Sequence, residues 1–133
     1  YVINTIILSV SPDFYNVNDS SISQLTQQNY TLMSIGTVLL VPITEETLYR
    51  GLMFGSLYKK SKVLGYLCSV VIFAALHVVS YIGQFQPFQL VLCFLQYLPA
   101  GIFLAWAYVK ADNIWAPILM HITINQIGVL ASR

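Results

Sequence analysis

The sequence predicts an all-α fold, a polytopic bundle of transmembrane helices, and three observations carry that expectation. Charged residues make up only 8% of the 133 residues, while 57% are hydrophobic; an ordinary soluble domain carries about a quarter charged. Long apolar runs recur, each near the roughly 20 residues that a membrane-crossing helix requires. The lysines all fall at the ends of those runs. So few charges do not cover a water-facing surface, so lipid is expected to cover it instead. A net charge of +1 gives no strong field toward nucleic acid, and no nucleic-acid partner is expected.

Taken in order, residues 1–10 are apolar and about half the length of a span. The chain opens on Tyr1 rather than Met, so this stretch reads as the end of an upstream helix. Residues 11–30 are rich in Ser, Asp, Asn and Gln with no Lys or Arg, which reads as a polar outer loop. The apolar run 32–58 follows, interrupted by Thr44-Glu45-Glu46-Thr47-Leu48-Tyr49-Arg50 and stopped by Lys59, Lys60 and Lys62. Residues 63–82 are uncharged and long enough to span. After a short turn at 83–87, residues 88–109 span again, with Pro99 and Gly101 marking an expected kink; such breaks are tolerated in membrane helices. A polar turn at 110–113 leads to a fourth segment, 114–130, with Trp115 at the interface and Pro117 in the first turn.

Lys59, Lys60, Lys62 and Lys110 lie in alternate connections, and the other connections carry no Lys or Arg. The positive-inside rule then places the lysine-bearing loops in the cytoplasm, with Arg133 as the exception. Cys68 and Cys93 sit inside apolar runs without paired spacing and read as ordinary buried thiols. The aromatic residues, among them Phe54, Tyr58, Tyr66, Tyr97, Trp106 and Tyr108, read as core or interface belt without chemistry.

The informative residues are the ionisable ones inside the spans: Glu45, Glu46, Arg50, His77 and His121. Each costs at least about 2.5 kcal/mol in hydrocarbon unless it is paired or wetted, so each is a functional candidate by default. Glu46 and Arg50 are four apart, as are Glu45 and Tyr49, Phe73 and His77, and His121 and Asn125. That period sets both members of a pair on one helix face. Glu45 lies 13 residues before Tyr58 and His77 lies 14 after Val63, so both stand about 20 Å from the lysine-bearing ends of their helices at the helical rise. His121 lies about 10 Å from the same side, and tilt allows all three to meet in one cavity.

Such a cavity suits peptide hydrolysis, which needs an activated water and a stabiliser for the tetrahedral oxyanion. Glu45 could take the proton from water, with Glu46 and Arg50 holding the site. His77 could orient the water, and His121 and Asn125 could donate to the oxyanion. Alternatively Glu45, His77 and His121 could bind a divalent metal such as zinc, which would acidify the water. Two His flanking a Glu on one helical turn, the common zinc-protease pattern, do not occur in this sequence. Ser80, three residues beyond His77, is a weak candidate nucleophile. Each group also has a plain structural explanation. Glu46 with Arg50 would serve as a locking ion pair, His77 as a packing residue, and His121 with Asn125 as interhelical glue. Those explanations do not account for the concurrence of nearly all the intramembrane ionisable groups.

The ordered motifs Glu45-Glu46-x-x-x-Arg50, Phe73-x-x-x-His77 and His121-x-x-x-Asn125 on successive apolar segments resemble the CPBP family. These are the CAAX prenyl protease-like and bacteriocin-processing intramembrane proteases, formerly the Abi family. The resemblance covers about residues 31–130 and makes 31–133 the protease core, with 1–30 set apart as the preceding helix end and loop. It implies a helical membrane endopeptidase acting on peptide or lipidated protein substrates. Glu45 would activate the water, Glu46 and Arg50 would complete the first motif, and Phe73 would pack beside a catalytic His77. His121 and Asn125 would line the oxyanion side. The family is described both as metal-dependent and as metal-free. The metal-free mechanism is favoured here, because Asn125 is a poor ligand and only two His are on offer. Compact loops suit a bacterial member in the cell membrane. The alternative is a non-catalytic membrane protein giving immunity to, or binding, a bacteriocin-like peptide.

Overall fold

The computed structural model describes residues 2–131. They form α1 (Val2–Val10), α2 (Val17–Gln28), α3 (Tyr30–Lys60), α4 (Lys62–Leu76), α5 (Pro87–Ala111) and α6 (Trp115–Ala131). A 3₁₀ turn, Val79–Tyr81, extends α4. Among the described residues three helices are long and apolar enough to cross a membrane: Tyr30–Lys60, Lys62–Tyr81 and Pro87–Ala111; Trp115–Ala131 is a shorter apolar helix. Tyr1 and Arg133, which entered the expectations for the upstream helix and for the loop charges, lie outside the described residues.

Burial is distributed as a lipid solvent dictates. Val63 is 77% exposed and Leu52 66%, whereas Glu46 and Arg50 are both 0% exposed. The polar groups have turned inward, where they find partners, and the apolar ones outward.

Each junction has a local cause. Ser61 takes an extended conformation between α3 and α4, and its Oγ accepts from the Leu64 N–H at 3.3 Å. The hairpin it makes is tight: a Cβ on Gly65 would stand 2.9 Å from the Tyr58 Cα. Phe54, Tyr58, Tyr66 and Tyr108 fill this end of the bundle with stacked and edge-on rings. Between α5 and α6, Asp112 adopts the left-handed region at φ 52°, which a short polar side chain tolerates, and Asn113 caps α6 through the Ala116 N–H. Helix α5 continues through Pro99. Two residues on, Gly101 lets α4 come close, since a Cβ there would stand 3.3 Å from the Val70 Cα.

The stretch 11–30 differs from the loop that its polarity suggests, because Val17–Gln28 is helical. Asn16 starts this helix by accepting from the N–H groups of Asn18 and Asp19, the usual N-cap arrangement. Val17 and Thr26 are buried in it, so a largely polar helix is held by a few contacts rather than by a broad apolar stripe. Val17 packs into a small core with Val78 and Cys93, which lays the start of α2 against α4 and α5.

Candidate active site

Helix α3 is not uniform. Two wide stretches, Ser34–Leu40 and Thr47–Phe54, have π geometry and flank the ordinary α turn and a half at Val41–Glu46. The Val41 N–H bonds to the Gly36 carbonyl and the Gly55 N–H to the Arg50 carbonyl, each five residues back. In that register the next donor would serve the Thr37 carbonyl, but the next residue is Pro42, which has no N–H. Asn125 on α6 fills the gap: its Nδ2 donates to Thr37 O at 2.8 Å. Wide turns of this kind concentrate at functional sites, and here they frame both glutamates.

Glu46, Arg50 and His121 form a closed ionic core. Glu46 Oε1 accepts from Arg50 Nη1 at 2.9 Å and from His121 Nδ1 at 2.9 Å. Arg50 Nη2 donates to the Gly101 carbonyl of α5 at 3.1 Å. His121 is 3% exposed. One carboxylate oxygen therefore ties α3 to α6, and one guanidinium ties α3 to α5. The Arg50 guanidinium also lies 5.0 Å from the centre of the Phe73 ring, a distance suited to cation–π attraction. Phe73, 2% exposed, has its ring 5.7 Å from that of His121 and 4.6 Å from that of His77. It bridges the core and the cavity.

The cavity encloses about 1110 Å³, and Glu45, His77 and Asn125 line it together with Thr37, Tyr97 and Asp19. Glu45 Oε2 is buried and has no hydrogen-bond partner within the protein. His77 stands where α4 ends, so the Phe73 carbonyl has lost its helical donor. The His77 ring supplies one, with Nδ1 2.8 Å from Phe73 O. Because a carbonyl accepts and does not donate, Nδ1 carries the hydrogen, and in its neutral form the ring keeps its lone pair on Nε2.

The six residues singled out from sequence are thus divided. Glu45, His77 and Asn125 face the cavity; Glu46, Arg50 and His121 are buried with one another. His121 Nδ1 is engaged by Glu46, and His121 is not among the residues that line the cavity. Among the described residues no group of three His, Cys, Asp or Glu side chains stands close enough to hold a metal ion. Of the set Glu45, His77 and His121, only Glu45 and His77 line the cavity, so the three side chains do not fit a metal in this arrangement.

Sequence reasoning missed Tyr97, Asp19 and Asn16. The Tyr97 ring stacks on His77 with centroids 4.3 Å apart, and its hydroxyl lies 2.8 Å from Asp19 Oδ1. The available signal was the polar pair Gln96-Tyr97 in the middle of an otherwise apolar span.

Comparison with known proteins agrees with these motifs. Residues 27–127 match the family described as type II CAAX prenyl endopeptidase Rce1-like. The chain is 31% identical over 104 residues to the "Putative membrane peptidase YdiL" of Bacillus subtilis, covering 77% of this chain and 38% of that protein. It is 31% identical over 90 residues to the UPF0177 protein YxdF of Lactococcus lactis, covering 68% of this chain and 44% of the relative. An uncharacterized 24.3 kDa protein of Escherichia coli is 29% identical over 103 residues, covering 75% and 43%. The chain therefore spans less than half the length of these relatives. No solved structure matches. With three apolar helices of spanning length and a family match over most of its residues, the chain is an integral membrane protein and belongs to the Rce1-like family of type II CAAX prenyl endopeptidases.

Proposed function

We propose that this chain is the catalytic portion of an intramembrane endopeptidase that hydrolyses peptide bonds in membrane-associated or lipidated substrates, using a water activated by Glu45. The observation that carries the reading is the placement of Glu45, and not Glu46, in the wall of a large cavity that also holds His77. A carboxylate and an imidazole with a free Nε2 in one cavity wall suit the orientation and deprotonation of a water.

Glu45 takes a proton from the water, and the resulting hydroxide forms a bond to the scissile carbonyl carbon. The carbonyl electron pair moves to oxygen, giving a tetrahedral oxyanion. Asn125 uses one amide hydrogen on Thr37 O and keeps a second to donate to that oxyanion. As the C–N bond breaks, the proton held by Glu45 passes to the leaving amine. His77 Nε2 accepts a hydrogen bond from the water and orients it. Glu46, Arg50 and His121 fix the helices that carry these groups. The lysine-bearing turns face the cytoplasm of a bacterial cell, which sets the cavity within the membrane.

The test is cleavage of a membrane-peptide library by the purified protein in detergent, wild type beside Glu45→Gln, each with and without a chelator. The expected result is cleavage by wild type in both conditions and none by Glu45→Gln, with both proteins folded. Loss on chelation, restored by a divalent ion, would overturn the metal-free step. Equal behaviour of wild type and Glu45→Gln would overturn the role of Glu45.

A further inference from the structure

We infer that Tyr97 is a positioning residue for His77, and that helix α2 holds it in place through the Tyr97 hydroxyl. The inference rests on the protease reading for its kinetic consequence but not for its geometry.

Three observations converge on Tyr97. Its ring lies nearly parallel to the His77 ring, at 29°, with centroids 4.3 Å apart. His77 also meets Phe73 at 4.6 Å, so the imidazole contacts aromatic rings from two different helices. The Tyr97 hydroxyl, at the far end of the side chain, enters the polar start of α2. It donates to Asp19 Oδ1 at 2.8 Å, stands 3.2 Å from Asn16 Oδ1, and accepts from Asn18 Nδ2 at 3.1 Å. Asn16 Oδ1 is the oxygen that caps α2. The helix start and the tyrosine thus share one hydrogen-bond network.

An imidazole turns freely about its last torsion unless something holds its plane. The Nδ1 bond to Phe73 O fixes one edge of the ring. The stack against Tyr97 keeps the ring from rotating out of that bond, and the α2 network keeps Tyr97 from sliding along the ring. The result is a single tautomer with Nε2 free for the water. Without Tyr97 the ring would sample orientations that present an N–H where an acceptor is needed.

The full chain in detergent micelles tests this with two readouts. The first is ¹⁵N NMR of the His77 imidazole. Wild type should show the Nδ1-protonated tautomer, and Tyr97→Leu should shift toward the Nε2-protonated or averaged form that free imidazole adopts in water. The second is kinetics on a cleaved peptide. Tyr97→Leu should lower kcat by about 100-fold, the scale on which small misplacements of a reacting group act, with KM little changed. Tyr97→Phe and Asp19→Ala, which keep the ring and cut its tether, should each give a smaller loss. In a His77→Ala background, Tyr97→Leu should cost nothing further. A wild-type His77 tautomer and unchanged kcat in Tyr97→Leu would overturn the inference, as would full additivity with His77→Ala. If wild type cleaves no peptide, it is the protease reading that fails, and the tautomer readout still decides the role of Tyr97.

Discussion

Glu45 and Glu46 are neighbours in the chain and opposites in their surroundings. Glu46 shares one oxygen between Arg50 and His121 and is 0% exposed. Glu45 stands in the cavity wall with His77 and Asn125. One step along a helix turns a side chain by about 100°, so two adjacent carboxylates serve two regions. The core supplies rigidity, because its ion pair and hydrogen bonds tie α3 to α5 and α6. The cavity wall presents Glu45, His77 and Asn125 to a space of about 1110 Å³. A carboxylate held by a guanidinium and an imidazole is committed to joining helices, whereas one that lines a cavity is placed where a water can reach it.

That division can be broken at four places. Glu45→Gln, in the wall, should lower the cleavage rate by about 10³-fold or more, the range of general-base effects, while leaving the thermal unfolding of the detergent-solubilised protein close to wild type. Glu46→Ala, one residue on, should act in the opposite sense. It strands Arg50 and should destabilise the fold by about 3–5 kcal/mol, read as unfolding at lower denaturant or temperature. Gly101→Ala tests the contact between core and helix packing. Its Cβ would meet the Val70 backbone and push away the carbonyl that Arg50 uses, for an expected loss of about 1–3 kcal/mol. Asn125→Ala should cost about 1 kcal/mol by leaving Thr37 O without its donor, together with a fall in kcat. If Glu45→Gln unfolded the protein and Glu46→Ala spared it, the two roles would have to be exchanged.

The contacts within single helices were legible in the sequence. Glu46 with Arg50 and Phe73 with His77 are set by a spacing of four, and the first pair is found at 2.9 Å and the second as a ring-to-carbonyl bond. The spans were legible too, because hydropathy over 20 residues records the lipid directly. Contacts between helices were not. Nothing in the spacing of His121 says that it turns to Glu46 rather than to the cavity, since a helical period gives the face of a residue but not the rotation of that face against its neighbours. Asn125 meets Thr37 only because Pro42 lies five residues further along a widened turn. Helix α2 was hidden for another reason: a segment of Ser, Asn and Gln has no apolar period to read, and its helix depends on the Asn16 cap and on partners 80 residues away.

The wide turns of α3 also bear on how the first motif is to be recognised in other chains. A π turn holds one residue more than an α turn, so it behaves as an insertion that the helix has absorbed without a loop. Removing a single residue from Ser34–Leu40 would return that stretch to ordinary pitch and keep Glu45-Glu46-x-x-x-Arg50 intact as a string of letters. It would also swing Glu45 by about 100° relative to the helix before it. Two chains that align perfectly over the motif can therefore present different carboxylates to their cavities, and the insertion state of the seven-residue stretch Ser34–Leu40 is the part of the alignment that tells them apart.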